Sequence, residues 1–464
     1  MTAPPTTATR AAPIDAGSVL AGPFAPVHAE VDIPDLTVIG KLPAELDGAY
    51  VRNGPNPRFS PIGSYVYPLD GDGMLHRVTL SAGRARYDNR FVRTPMLLAE
   101  ERAGHALWPG FATPWLPDAH TVGPELAGRR RDKPDINIVR HHGTMLALAE
   151  GQPPYRIGHD LATLGQETFA DRVPGGVCAH PKIDPATGEM LAFTYHIAPP
   201  YLTWTTIRPD GTGTAPVVVD GIDRPSMIHD MAITPRYVVL VVAPLHFNVA
   251  DALHHGSRLS WEPEAGTRIA VIPRDGGPVR WCHDDAFWAW HLANAHEQGD
   301  LIVIDYAEWA GPTGMAPGAP STPFQARAVL DPVAGTVRRS AVSDVAVEFP
   351  RIDDRLIGQA HPVSAFSARS GRPLPYPGVW DALAWHDHRT GNTVRWEPTD
   401  LALGEPAFAP GSDGGWWLTY AVRVSTDECC LLVIPAADPG AGPVATVQIP
   451  VRVPLGLHGN WLPS

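Results

Sequence analysis

Short apolar runs separated by turn residues recur along almost the whole chain. Runs at 144–149, 189–194, 201–207, 237–243, 268–273, 301–306, 416–424 and 431–435 are rich in aliphatic and aromatic residues and too short for typical helices, so each predicts a strand. Asp184-Pro185-Ala186-Thr187-Gly188 and Arg208-Pro209-Asp210-Gly211 are two of the turns between them. Nearer the start, Asn53-Gly54-Pro55-Asn56-Pro57 and Asp70-Gly71-Asp72-Gly73 punctuate residues 36–80, which predicts two hairpins. The Gly-Asp-Gly run opens no helical pattern and no βαβ unit follows it, which argues against a dinucleotide loop. One helix stands out at 95–108, where Leu97, Ala99, Ala103 and Leu107 are available for an apolar face. Many strands and few helices predict an all-β sandwich, barrel or propeller, and a length of 464 residues favours the propeller. No WD or kelch repeat is present, so the pattern does not give a blade number.

Composition sharpens this reading. Proline is 51 of the 464 residues, spread through the chain with abundant glycine, as many turns between short strands require. A net charge of −13 without any long Lys/Arg block argues against a nucleic-acid partner. Cys178, Cys282, Cys429 and Cys430 form no CxxC pair, which suits a reducing cytoplasm better than a disulfide scaffold. Residues 1–30 are rich in Ala, Pro and Thr and lack the apolar core of a signal peptide, so they read as a disordered tail before a single domain at 31–464. No run approaches the ~20 apolar residues that cross a bilayer. The expected location is cytoplasmic. One segment complicates that: Trp108, Phe111 and Trp115 stand among prolines and glycines, either as a core plug or as an apolar patch for a lipophilic ligand or a membrane surface.

The candidate chemistry lies in the histidines. Residues 281–300 set His291 within an aromatic run, where burial requires a partner for each ring nitrogen. His180, His229 and His458 occupy similar positions at the ends of apolar or turn-bounded segments, and the four stand 49, 62 and 167 residues apart in turn. Such gaps are too long for a local metal loop and suit ligands brought to one axis by different blades. Two other groupings compete: His283-Asp284-Asp285 as part of a two-histidine, one-carboxylate iron site, and His386-Asp387-His388 as the HxH of a metal hydrolase. Neither has an obvious set of remaining ligands.

In order and spacing, NGPNPRF, GDGMLH, AHPKIDPATGEM, IHDMAIT, WHLANAHE, EFPRID, GEPAFAP and LHGNW resemble the carotenoid cleavage oxygenase family, over nearly everything from residue 36 onward. The resemblance implies a seven-bladed β-propeller with a loop and helix cap over its metal face. It implies non-haem Fe(II) held on the axis by His180, His229, His291 and His458, with Glu150, Glu348 and Glu405 orienting three of them. A metal-bound imidazole must donate its other N–H, and a carboxylate fixes that tautomer. Family members add O2 across an electron-rich alkene to give two carbonyl products, and the alkene supplies the electrons, so no organic cofactor is expected.

Substrate is read from a departure. Members that cleave 4-hydroxystilbenes or isoeugenol-like compounds carry a lysine just before the first glutamate and a tyrosine that together grip the phenol. Here Ala149 precedes Glu150, and Arg93-Thr94-Pro95-Met96-Leu97-Leu98 contains no tyrosine. A phenolate without a polar partner is poorly held in an apolar tunnel. The expected substrate is therefore a carotenoid or apocarotenoid, with a stilbene or phenylpropenoid as the alternative. Phe59, Trp204 and Phe247 are candidate pocket residues, and Trp108, Phe111 and Trp115 a candidate membrane contact. A third possibility is a binding protein that retains a lipophilic ligand without turnover. The full set of histidines and glutamates argues against it.

Overall fold

A computed structural model describes residues 17–113, 115–248, 259–312, 321–374, 376 and 378–464. Its strands form seven antiparallel blades around one axis. Blade 1 contains Gly48–Arg52, Met74–Ser81 and Arg84–Phe91, and its innermost strand is Gly459–Pro463 from the far end of the sequence. Blade 2 runs from Asn137–His141 to Thr163–Gln166, blade 3 from Lys182–Ile183 to Val217–Val218, and blade 4 from Met231–Ile233 to Arg280–Asp284. Blade 5 begins at Leu292–Gln298. Its outer strand, Thr336–Arg351, runs on to become the inner strand of blade 6. Blade 7 is built on Trp416–Arg423 and Cys429–Pro435, and Val38–Gly40 from near the start of the chain pairs at its edge.

The apolar runs become the middle strands because each blade is covered on both faces by its neighbours. Met190–Tyr195 and Tyr237–Val242 are buried along most of their length and pack with Leu146 and Ile272 in one inter-blade core. Val239, Ile269, Ile304 and Ala328 form the next core round the ring. Outer strands such as Val217–Val218 are exposed and short, as expected of protected sheet edges. All eight predicted strands are present, shifted by no more than two residues at either end.

Three expectations need correction. Residues 53–73 do not form a hairpin of their own: they are one long loop between paired strands of blade 1. The helix is Pro95–Ala103, shorter than the pattern suggested, because Gly104 takes a left-handed φ of 73° and terminates it, while Thr94 caps its start by accepting from the Leu97 N–H at 3.1 Å. Of the expected tail, residues 1–16 lie outside the described residues, but Phe24 is buried in the core and Glu30 pairs with Arg93 at 2.7 Å. The described part of that tail is packed rather than loose.

Candidate metal centre

Each blade delivers one side chain to the axis at the same end of the ring. His180, His229 and His291 each stand one or two residues before the inner strand of blades 3, 4 and 5, and His458 immediately precedes the closing strand of blade 1. Glu150 follows a strand of blade 2, Glu348 lies in the inner strand of blade 6, and Glu405 sits between two short strands of blade 7. The four histidines bring one ring nitrogen each to within 4.8 Å of the others.

The outer nitrogens of three rings are held by the three glutamates. His229 Nδ1 donates to Glu150 at 3.1 Å, His291 Nδ1 to Glu348 at 2.5 Å, and His458 Nδ1 to Glu405 at 2.9 Å. Two of the carboxylates have further donors. Glu348 also accepts from the Phe349 N–H and from Trp309 Nε1 at 3.0 Å. Glu405 also accepts from the Gly459 N–H and from Arg351, each at 3.0 Å. The Tyr195 hydroxyl lies near Glu150, whose charge adds to burial in raising its pKa. Phe349, in a left-handed conformation with φ 52° that bulky residues avoid, stacks on His291 at 5.1 Å and stands edge-on to His458 at 5.5 Å.

With Nδ1 protonated, the Nε2 atoms face inward as lone pairs. His180 Nε2 and His229 Nε2 are 3.1 Å apart, and His291 Nε2 is buried without a hydrogen-bond partner among the described residues. Burial, reinforced by the neighbouring imidazoles, pushes His180 well below the usual histidine range. Burial also lowers His458, against the pull of Glu405. At His291 burial acts in the same direction, but Glu348 overrides it and raises the ring's pKa. Buried lone pairs converging without a proton between them are what a divalent metal resolves, and imidazole donors fit iron.

Two cavities flank the centre. One, about 340 Å³, runs along the axis and touches His180, His291 and His458, with Lys182, Asp230, Arg351 and Asp354 among its walls. The other, about 260 Å³, opens under the cap and reaches Glu150 past Leu116, Ile136, Ala149, Met227 and Phe247. The second is the more apolar of the two and suits a lipophilic molecule better.

The pocket candidates fare differently. Phe247 lines the cap-side cleft and stacks on Tyr195 at 5.5 Å. Trp204 does not reach it. It is buried in the core between blades, where its neighbours are Phe193 and Leu202. Phe59 lines a separate small cavity with Ser64 and Trp108. Trp108 is not an exposed anchor either: it is 2% exposed, and its indole N–H donates to the Arg129 carbonyl at 2.9 Å. Phe111 lines the cleft, Trp115 is 41% exposed, and Pro114 between them lies outside the described residues. Lys133 and Tyr195, which sequence reasoning missed, stand on the cleft wall. The ammonium of Lys133 is already bound to the Leu69 carbonyl and to Asp70 at 3.2 Å. His283 is exposed on the outer strand of blade 4, and its neighbour Asp284 pairs with Arg339 at 2.7 Å.

Comparison with known proteins agrees with this architecture. The family described as RPE65, retinal pigment epithelial membrane protein, matches residues 24–463. A carotenoid cleavage oxygenase of Mycobacterium tuberculosis is 31% identical over 96% of this chain and 97% of its own. An isoeugenol monooxygenase of Pseudomonas nitroreducens is 29% identical over 96% of this chain and 98% of its own. Among solved structures, a lignostilbene dioxygenase of Pseudomonas brassicacearum superposes with a TM-score of 0.89 at 28% identity, covering 98% of this chain and all of that one.

Proposed function

This chain belongs to the RPE65 carotenoid cleavage oxygenase family, and from that premise we propose that it is a non-haem Fe(II) dioxygenase that cleaves a C=C bond of a carotenoid or apocarotenoid with O2 to give two carbonyl products. The observation that carries this reading is the convergence of four histidine nitrogens whose outer partners are three buried glutamates. His180, His229, His291 and His458 would hold the ion. Iron, when bound, supplies the electron-transfer chemistry that lets O2 react with a closed-shell alkene.

The remaining work falls to the chain's own side chains. Glu150, Glu348 and Glu405 keep Nδ1 protonated and fix each ring's direction. Four neutral ligands leave the ion its full charge. Ile136, Ala149, Met227 and Phe247 form apolar walls that exclude water and orient an extended chain past Glu150. Ala149 presents only a methyl group where a phenol would need a cation. Leu116 and Ile197, 36% and 65% exposed, edge the mouth beside Trp115 and would meet a membrane from which such a substrate is drawn. Among the described residues no helix is long and apolar enough to cross a membrane.

A stilbene or phenylpropenoid is the second reading, favoured by the Tyr195 hydroxyl and the Lys133 ammonium on the cleft wall. The Lys133 ammonium already serves Asp70, which weighs against its holding a phenol. Aerobic turnover of the iron-loaded protein, with a long apocarotenal and a 4-hydroxystilbene in parallel and products identified by mass, separates the two. Cleavage of the apocarotenal alone is expected, and cleavage of the stilbene alone reverses the substrate choice. Absence of O2 uptake with both, at full iron occupancy, overturns the dioxygenase reading. His291→Ala is expected to lose iron and turnover together.

A further inference from the structure

A second histidine group lies between blades 5 and 6, away from the axial centre. His296 and Asp305 stand on paired strands of blade 5, and His361 lies in the segment leading into Val363–Ala368 of blade 6. One ligand atom from each lies within 4.8 Å of the other two. Asp305 is fully buried, His361 nearly so, and His296 half-buried. The HxH motif at 386–388 adjoins them: Ser364 Oγ is 2.9 Å from His388 Nε2 and 2.9 Å from His361 Nε2.

We propose that His296, Asp305 and His361 form a second metal site, taking a divalent ion of borderline softness such as Zn2+ and joining blade 5 to blade 6. His361 Nε2 and Asp305 Oδ2 are 3.8 Å apart. That is too long for a hydrogen bond, yet two ligands each about 2.1 Å from one ion stand roughly 3–4 Å apart. His296 Nδ1 is buried and has no hydrogen-bond partner among the described residues. Both rings are neutral, as ligands must be, because burial lowers His296 and takes His361 down to about 4.

The surroundings also support His361 as a ligand. At 3.2 Å its Nδ1 faces the Asn294 amide nitrogen, whose two N–H are given to the Leu356 and Gln359 carbonyls, so the amide does not claim the ring as an acceptor. Two neighbours set the site's character. Arg327 grips Asp305 through Nε at 2.8 Å and Nη2 at 2.9 Å, so the carboxylate is already neutralised. Hard, carboxylate-seeking Ca2+ and Mg2+ therefore gain little there, and affinity rests on the imidazoles. Arg327 also donates to His388 Nδ1 at 2.9 Å, so His388 Nε2 is a donor to Ser364 and the Ser364 hydroxyl donates to His361. An ion binds by displacing that single hydroxyl proton from the ring.

Zn2+ titration of the iron-loaded protein tests this, with zinc and iron counted per chain after gel filtration. The wild type is expected to retain one zinc beyond its axial iron. His296→Gln, which breaks no hydrogen bond among the described residues, and His361→Ala are each expected to weaken zinc binding by more than roughly tenfold while iron content is unchanged. His291→Ala, which damages only the axial centre, is expected to keep the second zinc. Substitution with Co2+ gives a visible absorption that reports the ligand set directly, and it is expected to change in His296→Gln. No zinc beyond the axial site in the wild type overturns the proposal, as does equal zinc binding by wild type and His296→Gln.

Discussion

Glu348→Gln removes one charge from the metal centre while keeping its shape, and its consequences follow from the three donors the carboxylate serves. His291 Nδ1 and the Phe349 N–H both reach Oε2, whereas Trp309 Nε1 reaches Oε1. A glutamine that turns its carbonyl toward the first two must present its NH2 to the indole N–H, donor against donor. A buried donor left unpaired costs about 1–3 kcal/mol, so the metal-free variant is expected to unfold with that much less stability. Separately, an imidazole no longer backed by an anion binds metal about 10–100-fold more weakly, or about 1.4–2.8 kcal/mol. A Trp309→Phe background separates the two losses. Without the indole N–H the clash disappears and the stability loss with it, but the weakened metal binding persists. Urea unfolding of the metal-free protein reads the first effect, and anaerobic competition for Fe(II) against a chelator reads the second. Iron affinity within about twofold of wild type in Glu348→Gln refutes the reasoning, because the anion would then contribute nothing to the ligand.

Three further outcomes are expected. Burial alone would raise the Glu405 carboxyl, but Arg351 and His458 hold it down to about 2 from 4.5. A depressed carboxylate lends stability that is present above about pH 4.5 and lost as pH falls through about 2, roughly 3 kcal/mol across that window. Glu405→Gln is therefore expected to flatten the acid limb of the stability curve, and parallel limbs would exclude this. Tyr195→Phe keeps the ring stacked on Phe247 but removes the hydroxyl near Glu150, so a chelator is expected to extract iron up to about tenfold faster. An unchanged extraction rate contradicts the link to His229. In Gly110→Ala the new methyl carbon would stand 2.0 Å from the Ser64 carbonyl oxygen, so the cap segment must shift. A raised KM with unchanged iron content is the expected result, and an unchanged KM counts against this segment as a wall of the cleft.

The strands and the axial residues were legible because each had a local signal. Apolar runs bounded by turns mark middle strands, and a histidine at the start of an inner strand sits in apolar surroundings. The ring's period was hidden. His291 and His458 are 167 residues apart, and Glu348 and Glu405 divide that gap into nearly equal steps, so the repeat changes residue type partway round and no self-similar motif records it. Trp108 was misread because what buries it is remote. Its indole partner is the carbonyl of Arg129, and its backbone N–H is held by Glu100, which Arg131 also grips. Trp204 has the composition of a pocket residue, but strand pairing turns it into the inter-blade core. Lys133 and Tyr195 carry no motif, and only the approach of blades 2 and 3 beneath the cap brings them to one wall.

The join between the two ends of the ring coincides with the metal centre. The strand Gly459–Pro463 begins immediately after His458, the Gly459 N–H donates to Glu405, and Arg351 binds the Gly459 carbonyl at 2.7 Å and Asn460 at 2.8 Å. An ion on His458 would therefore act as a rivet across the seam. The ring could breathe there only by letting go of a ligand, so amide hydrogen exchange at residues 459–463 and the release of iron would be two readings of one opening. Without an ion on His458, residues 459–463 are expected to be the first stretch of the ring that a protease can enter.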